Sequence, residues 1–334
     1  MTRHVLAFTL AALVAHAQAE RVLQTNSAGD NVHVIDPATN QVVGAIEDIE
    51  VPHGVAIAPD GSRIYVTDES LSTLDVVDAK TLKVFKRIKL SGRPNNLAVS
   101  NDGACVYVGI AQAPGAVDVI DTAALTRTKS IPVKGAIHNV YVTPDGKYAV
   151  AGSIPGASIN VIDTASNTVA WTMMMKAGIR PMAFTRNLDG STKDLIVQLS
   201  NYHGFVVIDF AAHAELRRVA QPDPPGQERE TQGIQGAPAH GLAVTPDGKT
   251  LWTTSKYYGY VAAYSLPNYK LVKVVPVGSH PEWLTIPPDG RNLYVAAAGD
   301  DVTVVVDLKT MIVVKKIPVG AVPKRNASGI VKTE

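Results

Sequence analysis

The chain contains a single cysteine, Cys105, among its 334 residues. A lone cysteine excludes an intrachain disulfide framework and any CxxC metal or redox site. Net charge is almost absent as well, because 31 Lys and Arg residues face 30 Asp and Glu residues. Without a basic excess there is no electrostatic basis for general nucleic-acid binding.

Several motifs that mark common enzyme classes are also missing. The sequence has no GxSxG elbow, Walker loop, Rossmann glycine pattern or CxxCH haem-attachment site. No motif predicts a Ser-His-Asp nucleophile. The residues that are present are 46% apolar and 18% charged, which excludes a disordered chain and predicts a large hydrophobic core.

An apolar run at the N-terminus, residues 5–15, is too short to span a bilayer, and no second run of spanning length follows. Residues 17–19 read Ala-Gln-Ala, the small-x-small pattern that signal peptidase recognises. We therefore predict a signal peptide over residues 1–19 and a single domain over residues 20–334. The protein is expected to be periplasmic or secreted, without a membrane span.

An Asp-Gly turn recurs along the whole chain. Its copies begin at Pro59, Asn101, Pro144, Leu188, Pro246 and Pro288. They are spaced by 42, 43, 44, 58 and 42 residues. Asp-Gly supplies the tight-turn chemistry that joins two antiparallel strands, and repetition at this period indicates a repeat architecture.

The segments around each turn have the pattern of β-strands. A short apolar segment such as residues 54–58 precedes the turn, and an alternating segment such as residues 63–67 follows it. Two further segments complete each unit, and four strands per unit without helical periodicity predict a β-propeller. Residues 21–48 and 321–331 would join to complete a seventh blade, which removes exposed sheet edges. The predicted fold is an all-β, seven-bladed propeller of four-stranded antiparallel blades, closed by its N- and C-terminal strands.

The one long spacing, 58 residues, places an insertion at about residues 221–236. The segment is rich in proline and charge. We interpret it as a lid or flap, with a tolerated surface insertion as the alternative.

Tyr65-Val66-Thr67-Asp68, Val76-Val77-Asp78 and the repeated Pro-Asp-Gly turns resemble the YVTN-type β-propeller repeat family. The resemblance covers residues 21–332 and implies the fold rather than one activity. It also implies that the first strand of each repeat lines a central channel.

One position just before each first strand carries an unusual set of residues. These are His53, Asn95, His138, Met182, His240, Glu282 and Lys324. Ionisable groups concentrated at one phase of the repeat, where the channel opens, indicate a functional site. We call this set the ring.

The histidines His53, His138 and His240 are predicted to bind one divalent or redox metal ion, which could be Cu, Fe, Mn or Zn. Three imidazoles would leave a coordination position for water or substrate. A metal-free ligand pocket and purely structural roles remain as alternatives, because a channel histidine commonly binds water or a backbone carbonyl.

Other polar residues are assigned to substrate on the same face. Arg180, Lys324, Asn95 and Tyr202 are predicted to bind a small substrate, which could be anionic. Glu282, His203 and Tyr258 are candidate catalytic groups, as acid, base or hydrogen-bonding residues. Packing between loops is the alternative for Tyr202, His203 and Tyr258, whereas for Arg180 the alternative is bonding to loop carbonyls between blades.

These predictions favour a metal-dependent enzyme, with an oxidoreductase preferred to a lyase. The alternative is a non-catalytic periplasmic accessory protein that binds a small ligand or a protein partner. A sugar-lactone hydrolase is weaker, because the ring offers only Glu282 and Asn95 as carboxylate and amide ligands.

Overall fold

The computed structural model describes residues 17–333, which form seven four-stranded antiparallel sheets. The first strands of neighbouring sheets contact one another all the way round the ring. The predicted fold class is therefore confirmed. No helix within the described residues could serve as a membrane span.

The blades follow one another along the chain, each built from consecutive strands. Blades one to three consist of β4 (Pro52–Ile57), β5 (Arg63–Asp68), β6 (Thr73–Asp78) and β7 (Lys83–Lys89); β8 (Pro94–Val99), β9 (Cys105–Ile110), β10 (Ala116–Asp121) and β11 (Thr126–Pro132); and β12 (Ile137–Val142), β13 (Tyr148–Ser153), β14 (Ser158–Asp163) and β15 (Thr168–Met174). Blades four to six consist of β16 (Ile179–Arg186), β17 (Thr192–Leu199), β18 (Gly204–Asp209) and β19 (Ala214–Ala220); β20 (Leu242–Val244), β21 (Thr250–Ser255), β22 (Tyr260–Ser265) and β23 (Lys270–Pro276); and β24 (Pro281–Thr285), β25 (Asn292–Ala297), β26 (Val302–Asp307) and β27 (Ile312–Pro318).

Blade seven joins the two ends of the chain. It consists of β28 (Pro323–Lys332), β1 (Gln18–Asn26), β2 (Asn31–Asp36) and β3 (Gln41–Ile46). Strand β28 pairs with β1, so that Leu23 lies opposite Ala327. Gln18 and Ala19, at the end of the predicted signal peptide, belong to β1, whereas residues 1–16 lie outside the described residues. The signal peptide stays a prediction.

The Asp-Gly turns adopt the conformation that their sequence predicts. All six glycines have positive φ, from 65° at Gly290 to 85° at Gly190, a region that is open to glycine at little steric cost. The preceding aspartate accepts a backbone hydrogen bond within the turn, as Asp60 does from the Ser62 amide at 3.0 Å. This local chemistry fixes where the first strand of a blade ends and the second begins.

The core lies between adjacent blades rather than at the centre of the ring. Val66 of blade one packs with Leu23 and Val34 of blade seven, and Val76 packs with Val108 of blade two. Each such buried aliphatic side chain contributes roughly 1.5–3 kcal/mol to stability. Because this core is distributed between the blades, polar residues can occupy the channel.

Candidate functional site

β-Bulges lie at six of the ring positions. The register between first and second strands shifts at this position in the pairs β4–β5, β8–β9, β12–β13, β16–β17, β24–β25 and β28–β1. A bulge removes a residue from the ladder and redirects its side chain. His138 and Glu282 consequently contact residues of other blades rather than their own ladder.

The structure brings two of the three ring histidines into direct contact. His138 Nε2 and His240 Nε2 lie 3.4 Å apart across the channel end. On the opposite side of its ring, His240 Nδ1 lies 3.1 Å from Glu282 Oε2. His53 is held differently, since its Nδ1 lies 2.8 Å from Oε1 of Glu69 in the same blade.

Burial keeps these imidazoles uncharged at neutral pH. It lowers the pKa of both His53 and His240 to about 4, although their bonds to Glu69 and Glu282 act in the opposite direction. Burial also lowers the pKa of His138 well below its ordinary value, and the charge of Arg325 adds to the effect. Neutral imidazole is the form that can bind a metal or accept a hydrogen bond.

We expect these buried histidines to make the protein sensitive to mild acid. The unfolded chain takes up their protons near pH 6.5, whereas folded His53 and His240 do so only near pH 4. The contribution of these two histidines to the free energy of unfolding is therefore fully present above pH 6.5 and is lost as the pH falls toward 4. The loss is on the order of 3 kcal/mol for each histidine. Urea unfolding at pH 7.0 and 4.5 measures this loss.

The matched variants for this measurement are His53→Gln and His213→Ala. Replacement of His53 should reduce the difference in unfolding free energy between the two pH values, whereas replacement of exposed His213 should leave it unchanged. An unaltered difference in His53→Gln would mean that the His53 imidazole does not govern the acid response.

The predicted three-histidine metal centre is not assembled. Among residues 17–333, no group of three or more His, Cys, Asp or Glu side chains is arranged to hold a metal ion. His53 faces Glu69, and the Arg325 charge acts on all three imidazoles. A guanidinium at this position repels a bare cation, so a Cu, Fe, Mn or Zn ion held by all three histidines is not supported by this geometry.

Arg325, which the sequence did not single out, is the central residue of the channel end. Its side chain is 2% exposed and stacks on Trp283, with 4.1 Å between Cζ and the ring centroid. Its Nη1 donates to Asn139 Oδ1 at 2.7 Å and its Nη2 to Asn95 Oδ1 at 2.6 Å. The Nε group has no hydrogen-bond partner among the described residues. Burial lowers the Arg325 pKa to about 10, so the group stays charged.

Three further cations surround Glu282. Lys256 Nζ lies 2.6 Å and Lys324 Nζ 3.2 Å from Glu282 Oε1. Arg180 is buried as well, and its Nε donates to Ser200 Oγ at 3.0 Å. Burial alone would raise the Glu282 pKa, but the hydrogen bond from His240 and the lysine charges hold it well below its usual range. Glu282 is thus an ionised partner of Lys256, Lys324 and His240, rather than a protonated acid.

The charges at this channel end do not balance. This end contains four cationic side chains, those of Arg180, Lys256, Lys324 and Arg325. Within residues 17–333, only two carboxylates, those of Glu69 and Glu282, interact with the ring histidines. Glu69 also pairs with the half-exposed Arg93 at 3.4 Å. A buried excess of positive charge is costly unless an anion compensates it. The channel end has the electrostatics of an anion site.

The other residues predicted to belong to the site lie elsewhere. Met182 is 1% exposed and packs into the core between blades three and four. Tyr202 packs against that same core, with the Arg218 guanidinium 5.9 Å from its ring centroid. His203 and Tyr258 contact each other beside the insertion, with ring centroids 5.6 Å apart. Their predicted catalytic and substrate-binding roles are not tested by these contacts.

Two charged residues that contact the ring, Glu69 and Lys256, occupy the same position in their repeats. Glu69 and Lys256 each follow the second strand of their blade, the same number of residues after His53 and His240 respectively. Charged residues at that phase could have been found by aligning the repeats. Arg325 immediately follows the ring position Lys324, but nothing in the sequence shows that it reaches blades two and three.

A cavity of about 940 Å³ opens at the opposite end of the first strands. Residues around the Asp-Gly turns of blades three to five line it, among them Thr143, Thr185 and Asp247. It includes none of the ring residues, so it is separate from the ring end of the channel.

A family model described as the cytochrome D1 heme domain matches residues 21–144. This segment is less than half of the chain and includes His53, Asn95 and His138. Comparison with curated proteins gives no match. The resemblance to the YVTN-type repeat family stays a prediction.

Three solved structures have the same propeller fold. Hydrazine synthase of Kuenenia stuttgartiensis is 24% identical, with a TM-score of 0.74 over 85% of this chain and 91% of that chain. The periplasmic gluconolactonase PpgL of Pseudomonas aeruginosa is 18% identical, with a TM-score of 0.75 over 94% and 99%. The dihydro-heme d1 dehydrogenase NirN, in complex with DHE, is 18% identical, with a TM-score of 0.66 over 89% of this chain and 63% of that chain. At these identities the likeness establishes the fold alone.

Proposed function

We propose that the ring end of the channel binds an anionic small molecule, with an iron tetrapyrrole that carries carboxylate groups as the favoured ligand. The observation that carries the proposal is Arg325, a buried guanidinium bonded to two amide oxygens, whose Nε has no hydrogen-bond partner within residues 17–333. Bonds between a guanidinium and a carboxylate are among the stronger hydrogen bonds in proteins. A ligand carboxylate would supply the negative charge that the site lacks.

A tetrapyrrole accounts for the imidazoles as well as the cations. His138 and His240 are neutral, and either could provide one nitrogen to a metal that the ligand already carries. Arg325, Arg180, Lys256 and Lys324 would hold its acid groups. Such a ligand needs one histidine and not three. The match of residues 21–144 to a cytochrome D1 heme domain and the likeness to NirN support this choice.

When bound, such an iron tetrapyrrole would supply one-electron redox chemistry, and the protein would then be an oxidoreductase. The residues of this chain would bind and orient the ligand and exclude water. A carrier or accessory protein for the same ligand is the alternative, favoured by the closed, hydrogen-bonded state of Arg325. The signal sequence proposed at residues 1–19 and the likeness to a periplasmic gluconolactonase favour a periplasmic location.

Titration with three probes tests this proposal. Haemin should bind the native chain with a shift of its Soret band, because imidazole binds the iron. Metal-free protoporphyrin IX should bind roughly 10-fold more weakly, and the dimethyl ester of haemin roughly 100-fold more weakly, since charge-assisted bonds contribute about 1.5–3 kcal/mol each. The absence of binding by all three would overturn the proposed function.

Histidine variants separate iron binding from hydrophobic adsorption. The double variant His138→Ala/His240→Ala should lose the Soret shift while keeping weaker binding through the cations. The matched control is His213→Ala. His213 lies in an exposed turn of blade four, and its ring stacks on Trp171. An equal Soret shift in the double variant and the control would place the haemin elsewhere.

A further inference from the structure

The insertion lies over the same channel end as the ring. Residues 221–236, which we call the lid, contain no strand and connect β19 to the first strand of blade five. At one end Gln221 Nε2 donates to the Thr254 carbonyl at 3.2 Å and Tyr260 Oη to the Pro222 carbonyl at 2.7 Å. At the other end the Asn201 amide donates to the Gly236 carbonyl at 2.9 Å. The lid is therefore attached to blades four and five.

A Ser-His-Asp arrangement holds the outer part of the lid. His203 lies between the other two residues, with Nε2 2.8 Å from Ser255 Oγ and Nδ1 2.9 Å from Asp223 Oδ1. These are the distances of a nucleophilic triad. Ser255, however, is fully buried, and Asp223 belongs to the lid. Because Asp223 would move away from His203 if the lid moved, we call this trio the latch.

Arg229 ties the latch to the neighbouring tyrosines. Its Nη2 pairs with Asp223 and its Nε donates to Tyr258 Oη at 3.3 Å. The guanidinium also lies 5.3 Å from the centroid of the Tyr257 ring. His203 and Tyr258 therefore both contact residues of the lid.

The inner part of the lid contacts two cations of the anion site. Arg180 Nη2 donates to the Gln235 carbonyl at 2.6 Å, and Lys256 Nζ donates to the Gly233 carbonyl at 3.4 Å. Neutral carbonyls are weaker partners for a cation than carboxylates are. Arg180 also donates to Ser200 Oγ, and Lys256 also pairs with Glu282 Oε1 at 2.6 Å. The lid carbonyls are thus the neutral partners of these two cations, and they are the ones that an anionic ligand would replace.

We infer that the lid and the anionic ligand compete for Arg180 and Lys256, so that the ligand binds only when the lid opens. This inference rests on the proposed function, because it assigns a gate to that same site. When the lid is closed, its carbonyls accept one hydrogen bond from Arg180 and one from Lys256. When the lid is open, both side chains can turn to the carboxylates of the ligand, and the latch sets how often this state is reached.

A reversible crosslink tests the inference directly. The Glu230 amide donates to the Tyr257 carbonyl at 2.9 Å, which places the two backbones at a separation that a disulfide can span. Glu230→Cys/Tyr257→Cys, made in a Cys105→Ala background, would lock the lid when oxidised. Stopped-flow mixing with haemin should then show association at least about 100-fold slower than in the same protein reduced and capped with iodoacetamide.

The single variant Glu230→Cys in the same background, taken through both treatments, is the control and should bind equally fast in each. A second variant acts in the opposite direction: Asp223→Asn weakens the latch and should speed association about 10-fold. Equal association rates in the locked and the reduced double variant would overturn the inference that the lid controls ligand access, while leaving the proposed function intact. Failure of the native chain to bind haemin would overturn both.

Discussion

Replacement of Arg325 by methionine is expected to weaken haemin binding by about 100-fold. Methionine is similar in length and keeps a contact with the Trp283 ring, so the change removes the charge with little loss of packing. In the native chain Arg325 is 2% exposed, and its charge helps to lower the pKa values of His53, His138 and His240. A buried charge of this kind contributes about 3 kcal/mol to binding an anion, which corresponds to that factor in Kd.

The stability of Arg325→Met should change little. Loss of an uncompensated buried charge is favourable, whereas Asn95 Oδ1 and Asn139 Oδ1 each lose a donor. Arg325→Lys is the matched variant, since it keeps the charge but not the planar fork, and its affinity should fall only about 10-fold. Native affinity in Arg325→Met would show that the guanidinium serves the fold and not the ligand.

Replacement of Glu282 by glutamine should have the largest effect on stability. Lys256 is 2% exposed and has its Nζ 2.6 Å from Glu282 Oε1. Without the carboxylate, this lysine keeps a buried charge beside Lys324, Arg180 and Arg325. Removal of one partner of a buried ion pair costs about 3–5 kcal/mol. We expect a decrease in Tm of roughly 5–8 °C, measured by calorimetry without ligand.

The second substitution Lys256→Met separates charge from packing. In Glu282→Gln/Lys256→Met the stranded charge is gone, and at least half of the lost stability should return. The surface pair Lys249 and Asp247, exposed in another loop of blade five, provides the control: Asp247→Asn should change Tm by less than about 2 °C. A Glu282→Gln protein as stable as the native chain would mean that the ring tolerates the unpaired lysine.

Haemin binding should respond to Glu282→Gln in the opposite direction to stability. The substitution increases the positive excess at the channel end and releases Lys256 and Lys324 from their carboxylate partner. An anionic ligand would then compensate more charge. We expect tighter haemin binding and a larger rise in Tm on ligand addition than in the native chain.

The sequence by itself determined the repeat, and with it the fold. The Asp-Gly turns and the alternation of the strands are short-range patterns, so that each blade can be recognised from its own residues. Closure of the ring also followed from the sequence, because residues 21–48 lacked a first strand and residues 321–331 supplied one. The same phase counting placed His138, His240, Glu282 and Lys324 at one end of the channel.

Only the tertiary structure decided which of these residues meet. Arg325 bonds Asn95 and Asn139, which lie 230 and 186 residues away along the chain. His203 likewise joins Ser255 to Asp223 of the lid. Contacts across a ring depend on its closure and on bulges that redirect single side chains, and no local pattern encodes either. The periodicity therefore located the ring, whereas the long-range contacts brought the buried Arg325 charge close enough to lower the pKa values of its three histidines.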